Sequence, residues 1–446
     1  MATDNKPVSK LFSFDGQPRL QEVVPMSLQH LFAMIVGNIT PALIVSGRAG
    51  LEQADRVILV QASLFMAAIA TLIMVFSIKG YFGARLPVIL GVSFSYLPTL
   101  SMITDNFQGD ISYIFGAQIA GAILAVLFGF GLKYLVKLFP QIVTGTVVLT
   151  IGLTLYPIAI NYMAGGAGSE NYGSLQNWIV SLFTLVVVII ANNWGKGMMK
   201  LASVLIGMIA GYLLALAMGM ISFAGIGESS VVAAPRIMHF GVKFEISTII
   251  AMLIMFMVNS VQAIGDLSAT TAGGMGRIPT ERELSQGIMG YGLVNILGAL
   301  FNCLPTATYS QNVGMVGTTR VINKFVFAGT ALILLVASFI PKFGALLTTV
   351  PSAVLGGATI TVFGSITMTG MRLIFAKPLS MRNASIVGLA IALAMGVTLV
   401  PASIGLAPQW FKTIFGSNAV VIATLVAIVL NLILPKDPAD AEVTER

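Results

Sequence analysis

Two polar side chains one helical turn apart carry the strongest chemical signal in this 446-residue chain. They are Gln262 and Asp266, in the run Val258-Asn-Ser-Val-Gln-Ala-Ile-Gly-Asp-Leu-Ser-Ala-Thr-Thr. At i and i+4 on a helix they share a face. Of the 17 acidic residues, Asp266 alone falls inside an apolar run. An acid at membrane depth costs about 2.5–3.5 kcal/mol on insertion scales, so it normally faces a water-filled cavity or a partner and marks a pathway. The plainer alternative is that Asp266 lies near its helix end, eleven residues before Arg277, and simply reaches water. A second polar run, Leu304-Pro-Thr-Ala-Thr-Tyr-Ser-Gln311-Asn312-Val-Gly-Met-Val-Gly-Thr-Thr319-Arg320, is broken by Pro, Gly and Thr. Non-helical backbone is tolerated in a membrane only where protein or a cavity satisfies its polar groups. Freed amides, neighbouring polar side chains and a half-helix N-terminus suit a small polar heterocycle. A polar contact between helices that holds a kink would use the same residues.

Other chemistries are poorly served. One cysteine, Cys303, leaves no disulfide framework or multi-thiol metal site. With only His30 and His239, a catalytic zinc or haem centre is not expected and no cofactor is called for. A membrane enzyme would need a nucleophile–base pair that the chain does not offer.

The elements that position these residues follow from composition. The chain is 57% apolar and only 9% charged, with mean hydropathy +0.93, whereas soluble domains carry about 25% charged residues. This is an all-α polytopic membrane protein. A helix needs about 20 apolar residues to cross the hydrocarbon core, and twelve such runs are expected. They lie near 26–46, 56–78, 112–132, 141–163, 176–194, 201–221, 246–268, 284–302, 323–341, 351–371, 383–401 and 414–434. Two further stretches, 86–101 and 304–318, are too short or too broken to be plain spanning helices. The first 22 residues are mixed polar and do not read as a cleaved signal peptide.

Charge decides the count. If both broken stretches also cross, there are fourteen transmembrane segments and both termini lie on the cytoplasmic side. Eighteen of the 24 Lys and Arg residues then lie inside, the positive-inside bias of a cytoplasmic-membrane protein. The net charge of +7 has this topological source and does not point to nucleic acid. Treating the broken stretches as surface loops would put Lys133, Lys137, Lys196 and Lys200 outside.

The halves look related. Leu86-Pro87 is followed by Ser93-Phe94 at the distance by which Gln311-Asn312 follows Leu304-Pro305. Pro140 with Gly145 and Gly152 resembles Pro351 with Gly356 and Gly364. The offsets, 218 and 211 residues, suit a repeat of seven segments. Seven is odd, so the second copy would enter the membrane inverted, and such carriers hold substrate near the midplane where broken elements meet. Chance likeness in a Pro- and Gly-rich chain is the competing explanation.

The run Gln311-Asn312-Val313-Gly314-Met-Val-Gly-Thr318-Thr319-Arg320 resembles the signature of the nucleobase–ascorbate transporter family, Q/E/P-N-x-G-x4-T-R/K/G, at every fixed position. The likeness extends over nearly the whole chain: Ser27-Leu-Gln29-His30, Gly91-Val-Ser93-Phe94, and Gln262-x-x-Gly265-Asp266. It implies fourteen segments as a seven-plus-seven inverted repeat, with short strands in segments 3 and 10. Segments 1–4 (26–137) and 8–11 (246–345) would form a substrate-holding core. Segments 5–7 (138–221) and 12–14 (346–434) would form a gate that usually mediates homodimerisation. Residues 1–25 and 435–446 would be cytoplasmic tails.

By the same resemblance, Gln311 hydrogen-bonds the base, Asn312 is its structural neighbour, and Phe94 with Ser93 lines the pocket. His30 and Gln29 help organise the site, Gly265 and Gln262 of helix 8 are expected to bind substrate, and Asp266 is tied to coupling. Thr319 and Arg320 close the signature. Gln at its head is more typical of xanthine and uric acid carriers. Two positions depart from the family. Gln262 stands where relatives carry a substrate-binding Glu, and Tyr291 falls where a second carboxylate is expected. Neutral Gln still offers one acceptor and two donors, so coupling is what the departures touch. The expectation is a purine permease for xanthine or uric acid, moving core against gate and driven by a proton, with sodium as the other candidate ion. The rivals are facilitated or differently coupled transport favouring anionic urate, and a sulfate-permease-type anion carrier of the same architecture.

Overall fold

Prolines, glycines and small polar residues set where the long apolar runs begin, stop and touch. The computed structural model describes residues 10–132, 138–223, 226–227, 229–376, 379–408, 411–412, 415–416 and 418–435. Lys133, Lys137 and most of the 435–446 tail lie outside them. The first part of the chain forms α1 (Leu20–Arg48), α2 (Gln53–Phe76), strand β1 (Leu90–Val92), α3 (Leu97–Asn106) and α4 (Ser112–Phe130). It continues with α5 (Gln141–Met163), α6 (Leu175–Asn193), α7 (Met198–Leu201) and α8 (Ser203–Ala217). The second part forms α9 (Ile246–Thr270), α10 (Glu281–Leu300), strand β2 (Thr306–Thr308), α11 (Ser310–Thr319), α12 (Lys324–Ser338) and α13 (Pro341–Thr348). It ends with α14 (Ser352–Ile374), α15 (Met381–Leu399) and α16 (Ala419–Ile433).

Among the described residues, eight helices are long and apolar enough to cross a membrane. A ninth is added if α12 and α13, which meet at a bend of 86°, count as one span. Each of the twelve runs expected from sequence holds a helix, with shifted ends. α1 begins at Leu20 rather than 26 because the Glu22 carboxylate takes the Arg19 backbone N–H at 3.1 Å. Pro25 then falls in the second turn, where it removes one backbone bond.

The helices pack as two groups. In one, α4 lies against α9 and α10, and α2 lies against α1, α12 and α13. In the other, α14 lies against α5, α6 and α8, while α16 joins α15 to α5. The α5–α14 contact is close and reciprocal. Pro140 and Pro351 are the N-caps of two 23-residue helices. Near the start of α5, Gly145 meets Ile374 and Gly370 at the end of α14, and near the start of α14, Gly356 meets Met163 at the end of α5. A Cβ at Gly152 would sit 2.7 Å from the Thr367 backbone nitrogen, so the helices touch where only glycine fits. Gly364, the sequence counterpart of Gly152, has nothing within 4 Å and takes no part in that contact.

The two strands pair antiparallel, with Leu90 opposite Thr308, Gly91 opposite Ala307 and Val92 opposite Thr306. They are held from three sides. Asn38 of α1 accepts the Val92 N–H at 2.9 Å and donates to the Ser63 carbonyl at 3.0 Å. The Tyr309 hydroxyl donates to the Val92 carbonyl at 2.6 Å. Asn295 of α10 accepts the Thr306 N–H at 2.8 Å and donates to the Thr306 carbonyl at 3.3 Å. Gly91 lies so close that a Cβ there would be 2.5 Å from the Tyr309 ring and 2.6 Å from Asn38 Oδ1. Each strand runs into a ten-residue helix, α3 or α11.

Behind α11 the N-terminal segment is tied down. Asn323 Nδ2 gathers the carbonyls of Lys10, Ser13 and Gly16 at 2.8–3.1 Å. Lys324 donates to Asp15 at 2.7 Å, which holds that carboxyl below the usual range.

Candidate functional site

The strand pair brings residues from both halves of the sequence to one place. A cavity of about 150 Å³ opens beside it. From α1 come Phe32, Ala33, Val36 and Gly37, spaced to share one helix face; from the first strand segment, Ser93, Phe94 and Ser95; from α9, Gln262; and from the second, Ala307 through Gln311. The opposite wall is mostly apolar, with Val148 and Ile151 of α5, Leu201 of α7, Val204 of α8, and Val362, Ser365, Ile366 and Thr369 of α14. The cavity therefore lies between the two packing groups. Phe94 is held edge-on by Phe363, ring centroids 5.1 Å apart, so one aromatic wall is fixed in orientation.

Gln311 is the second residue of α11, where the first N–H groups of the helix have no helical acceptor. The N-cap, Tyr309, supplies no side-chain bond to them. Among the described residues neither the Gln262 nor the Gln311 amide has a hydrogen-bond partner, and both face the cavity. Two free amides at the positive end of a helix dipole can match a planar ring edge that alternates N–H and C=O.

Asp266 does not line the cavity. It is buried behind Gln262, where its two oxygens accept the Thr308 hydroxyl at 2.5 Å and the Ser310 hydroxyl at 2.8 Å. These bonds tie α9 to β2 and to the start of α11. Thr308 and Ser310 were not singled out in the sequence, although their hydroxyls stand within three residues of Gln311. Asn312 is also buried behind the wall. Its Nδ2 donates to His30 Nδ1 at 3.0 Å and to the His30 carbonyl at 3.1 Å, while its Oδ1 has no partner. This contact makes His30 Nδ1 an acceptor, and the ring lies tilted by 46° against Phe327, centroids 4.8 Å apart.

Four other sequence candidates stand apart. Gln29 lies one turn before Phe32 and outside the cavity. Gly265 is exposed, with nothing within 4 Å of a built Cβ, and is not among the residues that line the cavity. Thr319 closes α11, bonding the Met315 carbonyl at 2.8 Å, and Arg320 follows as its left-handed cap at φ 55°. These two end the helix that presents Gln311 and do not reach the cavity. Tyr291, where the family resemblance led to the expectation of an acid, is buried with its hydroxyl against that of Tyr96.

Comparison with known proteins gives the same direction. The permease-family model Xan_ur_permease matches residues 21–403. The xanthine permease of Bacillus subtilis is 35% identical over 423 residues, 92% of this chain and 93% of that protein. The uric acid permease PucK of the same organism is 34% identical over 425 residues, 95% of this chain and 98% of that protein. Among solved structures, the transmembrane domain of a cyanobacterial bicarbonate transporter, BicA, matches with TM-score 0.61 at 16% identity, over 91% of this chain and 96% of that one. The murine anion transporter Slc26a9 in its inward-facing state matches with TM-score 0.62 at 11% identity, over 93% of this chain and 68% of that one. Those two likenesses concern the fold alone. This chain is a multi-span helical transporter that belongs to the Xan_ur_permease family of permeases, the nucleobase–ascorbate transporters.

Proposed function

We propose that the chain carries a purine nucleobase of the xanthine or uric acid type across the cytoplasmic membrane. The observation that carries this reading is the pair of unpartnered amides, Gln262 and Gln311, facing one cavity beside the free end of α11. The names of the B. subtilis relatives supply the substrate class. A flat base would lie against Phe94, with its polar edge toward the two amides.

The same reading takes the chain as fourteen segments in a seven-plus-seven inverted repeat with both termini cytoplasmic. The reciprocal α5–α14 contact and the strand-plus-half-helix units β1–α3 and β2–α11 support it. Segments 1–4 and 8–11 would move as a core against the gate formed by segments 5–7 and 12–14, since the cavity lies between the two packing groups. Asp266 would take up the coupling proton, because its two hydroxyl partners join the helix of Gln262 to that of Gln311. A homodimer through the gate is supported by α6 and α15, whose most apolar stretches are only 33% and 17% buried within one chain.

The test is uptake of radiolabelled xanthine into proteoliposomes with and without an inward proton gradient. Uric acid should compete; uracil and sulfate should not. Competition by sulfate or bicarbonate with none by purines would favour an anion carrier of this fold instead.

A further inference from the structure

Where each cavity hydroxyl sends its proton sets what the site can offer a ligand. Ser95 Oγ donates to Asn259 Oδ1 at 2.6 Å, and the Asn259 amide is oriented by its own Nδ2 donating to the Met255 carbonyl at 2.9 Å. With its proton committed, Ser95 can only accept from Ser93, whose hydroxyl lies 2.7 Å away. Consistent with that, Ser93 Oγ accepts the Ser95 backbone N–H at 3.2 Å. The proton of Ser93 is thus spent inside the protein. Thr308 and Ser310 spend theirs on Asp266, and Tyr309 spends its own on the Val92 carbonyl. On the opposite wall Ser365 donates to the Thr361 carbonyl at 3.0 Å and Thr369 to the Ser365 carbonyl at 2.9 Å.

We infer that the hydroxyls of this cavity serve a ligand only as acceptors, and that Ser95 and Asn259 are positioning residues that enforce this polarity on Ser93. Among the side chains lining the cavity, the donors left over are the Gln262 and Gln311 amides, beside the backbone N–H groups that open α11. The site therefore selects bases by their ring N–H groups. A bare ring nitrogen set against such a hydroxyl places acceptor against acceptor, and a site built to bond an N–H rejects the analogue lacking it. The inference rests on the purine reading and narrows it. Xanthine and uric acid, with an N–H at most ring nitrogens, fit. Hypoxanthine, guanine and adenine, each with bare ring nitrogens where xanthine carries N–H, do not.

The test is competition by these three bases against labelled xanthine in the parent, in Ser95→Ala and in Asn259→Leu. In the parent each should bind at least roughly tenfold more weakly than xanthine. Ser95→Ala removes the acceptor of the Ser93 proton, and Asn259→Leu frees the Ser95 proton to donate to Ser93; either change lets Ser93 donate into the cavity. The gap between xanthine and at least one base should then narrow roughly tenfold. In a Ser93→Ala background neither change should alter the gap. A merely structural role would weaken all purines together and leave their ratios fixed; that result, or unchanged ratios in both variants, overturns the inference. A parent that takes up no purine at all overturns the functional reading instead.

Discussion

Replacing Asp266 by Asn separates charge from shape at the most buried acid of the site. Each carboxylate oxygen accepts one hydroxyl, from Thr308 at 2.5 Å and Ser310 at 2.8 Å. An Asn side chain keeps one acceptor and turns an NH2 toward the other hydroxyl. That hydroxyl can rotate to accept, so a charge-assisted bond is exchanged for a neutral one. Hydrogen bonds to charged groups contribute about 1.5–3 kcal/mol and neutral ones about 0.5–1.5, so the exchange should cost about 1 kcal/mol. At 1.36 kcal/mol per decade, xanthine affinity should fall less than roughly tenfold. Titration is lost entirely. In proteoliposomes, Asp266→Asn should bind xanthine within that margin and equilibrate it, yet fail to accumulate it when an inward proton gradient is imposed. Asp266→Ala is the contrast, because it strands both hydroxyls and uncouples α9 from α11, so binding itself should collapse. Gradient-driven accumulation by Asp266→Asn equal to that of the parent would remove Asp266 from coupling.

Gln311→Ala should weaken xanthine binding roughly ten- to a hundredfold, the cost of about 1–3 kcal/mol for unpaired groups in a desolvated site; unchanged affinity would put the base elsewhere. Gln262→Glu places a second carboxyl one turn from Asp266, and two close carboxylates resist ionising together. Its uptake from pH 5 to 8 should vary more steeply than the parent's, with urate losing more than xanthine as pH rises; superimposable profiles would refute the argument. At the membrane edge, the Arg277 guanidinium holds the Glu283 carboxyl below its usual range through paired bonds of 2.6 and 2.8 Å. A depressed folded value adds stability above the unfolded pKa, which is lost as pH falls through the folded one. Glu283→Gln keeps the N-terminal capping geometry with Thr280 and should cost at most about 1 kcal/mol at pH 7. The melting temperatures of parent and variant in detergent should converge as pH falls through the depressed value at which the carboxyl protonates; a gap that persists in acid would assign the loss to the cap.

What could be read from sequence was whatever has a local signature. Apolar runs near 20 residues gave twelve helices, and Pro, Gly and Thr marked two places where helix gives way. Gln262 stood out because it shares a helix face with a lone acid in an apolar run, Gln311 because it sits in a broken polar stretch, and Ser93 and Phe94 through the family resemblance. The supporting residues had no such mark. Asn38, Asn259 and Asn295 lie 54, 164 and 11 residues from the groups they bond, and an asparagine in an apolar helix does not announce its partner. Asp266 was legible as unusual, but its retreat behind the wall was not, since that depends on two hydroxyls 42 and 44 residues away. Gly364 was misleading for the opposite reason. A glycine signals close approach only where something approaches, and nothing stands within 4 Å of it.

The pairing of β1 with β2 also bears on how the protein is made. Val92 is translated well over 200 residues before its partner Thr306. At ~5–20 residues per second the first strand waits roughly 10–40 s for the second. During that wait its backbone groups sit in a lipid-bounded nascent chain with no sheet to join. Asn38 is already present, and its side chain can occupy the Val92 N–H from the moment α1 and the strand are both inserted. Asn38 keeps that N–H in the finished fold as well, because the cross-strand bonds fall on Ile89 and Ser93 and leave Val92 turned away from β2, so its loss should show both as degraded nascent protein and as a less stable carrier.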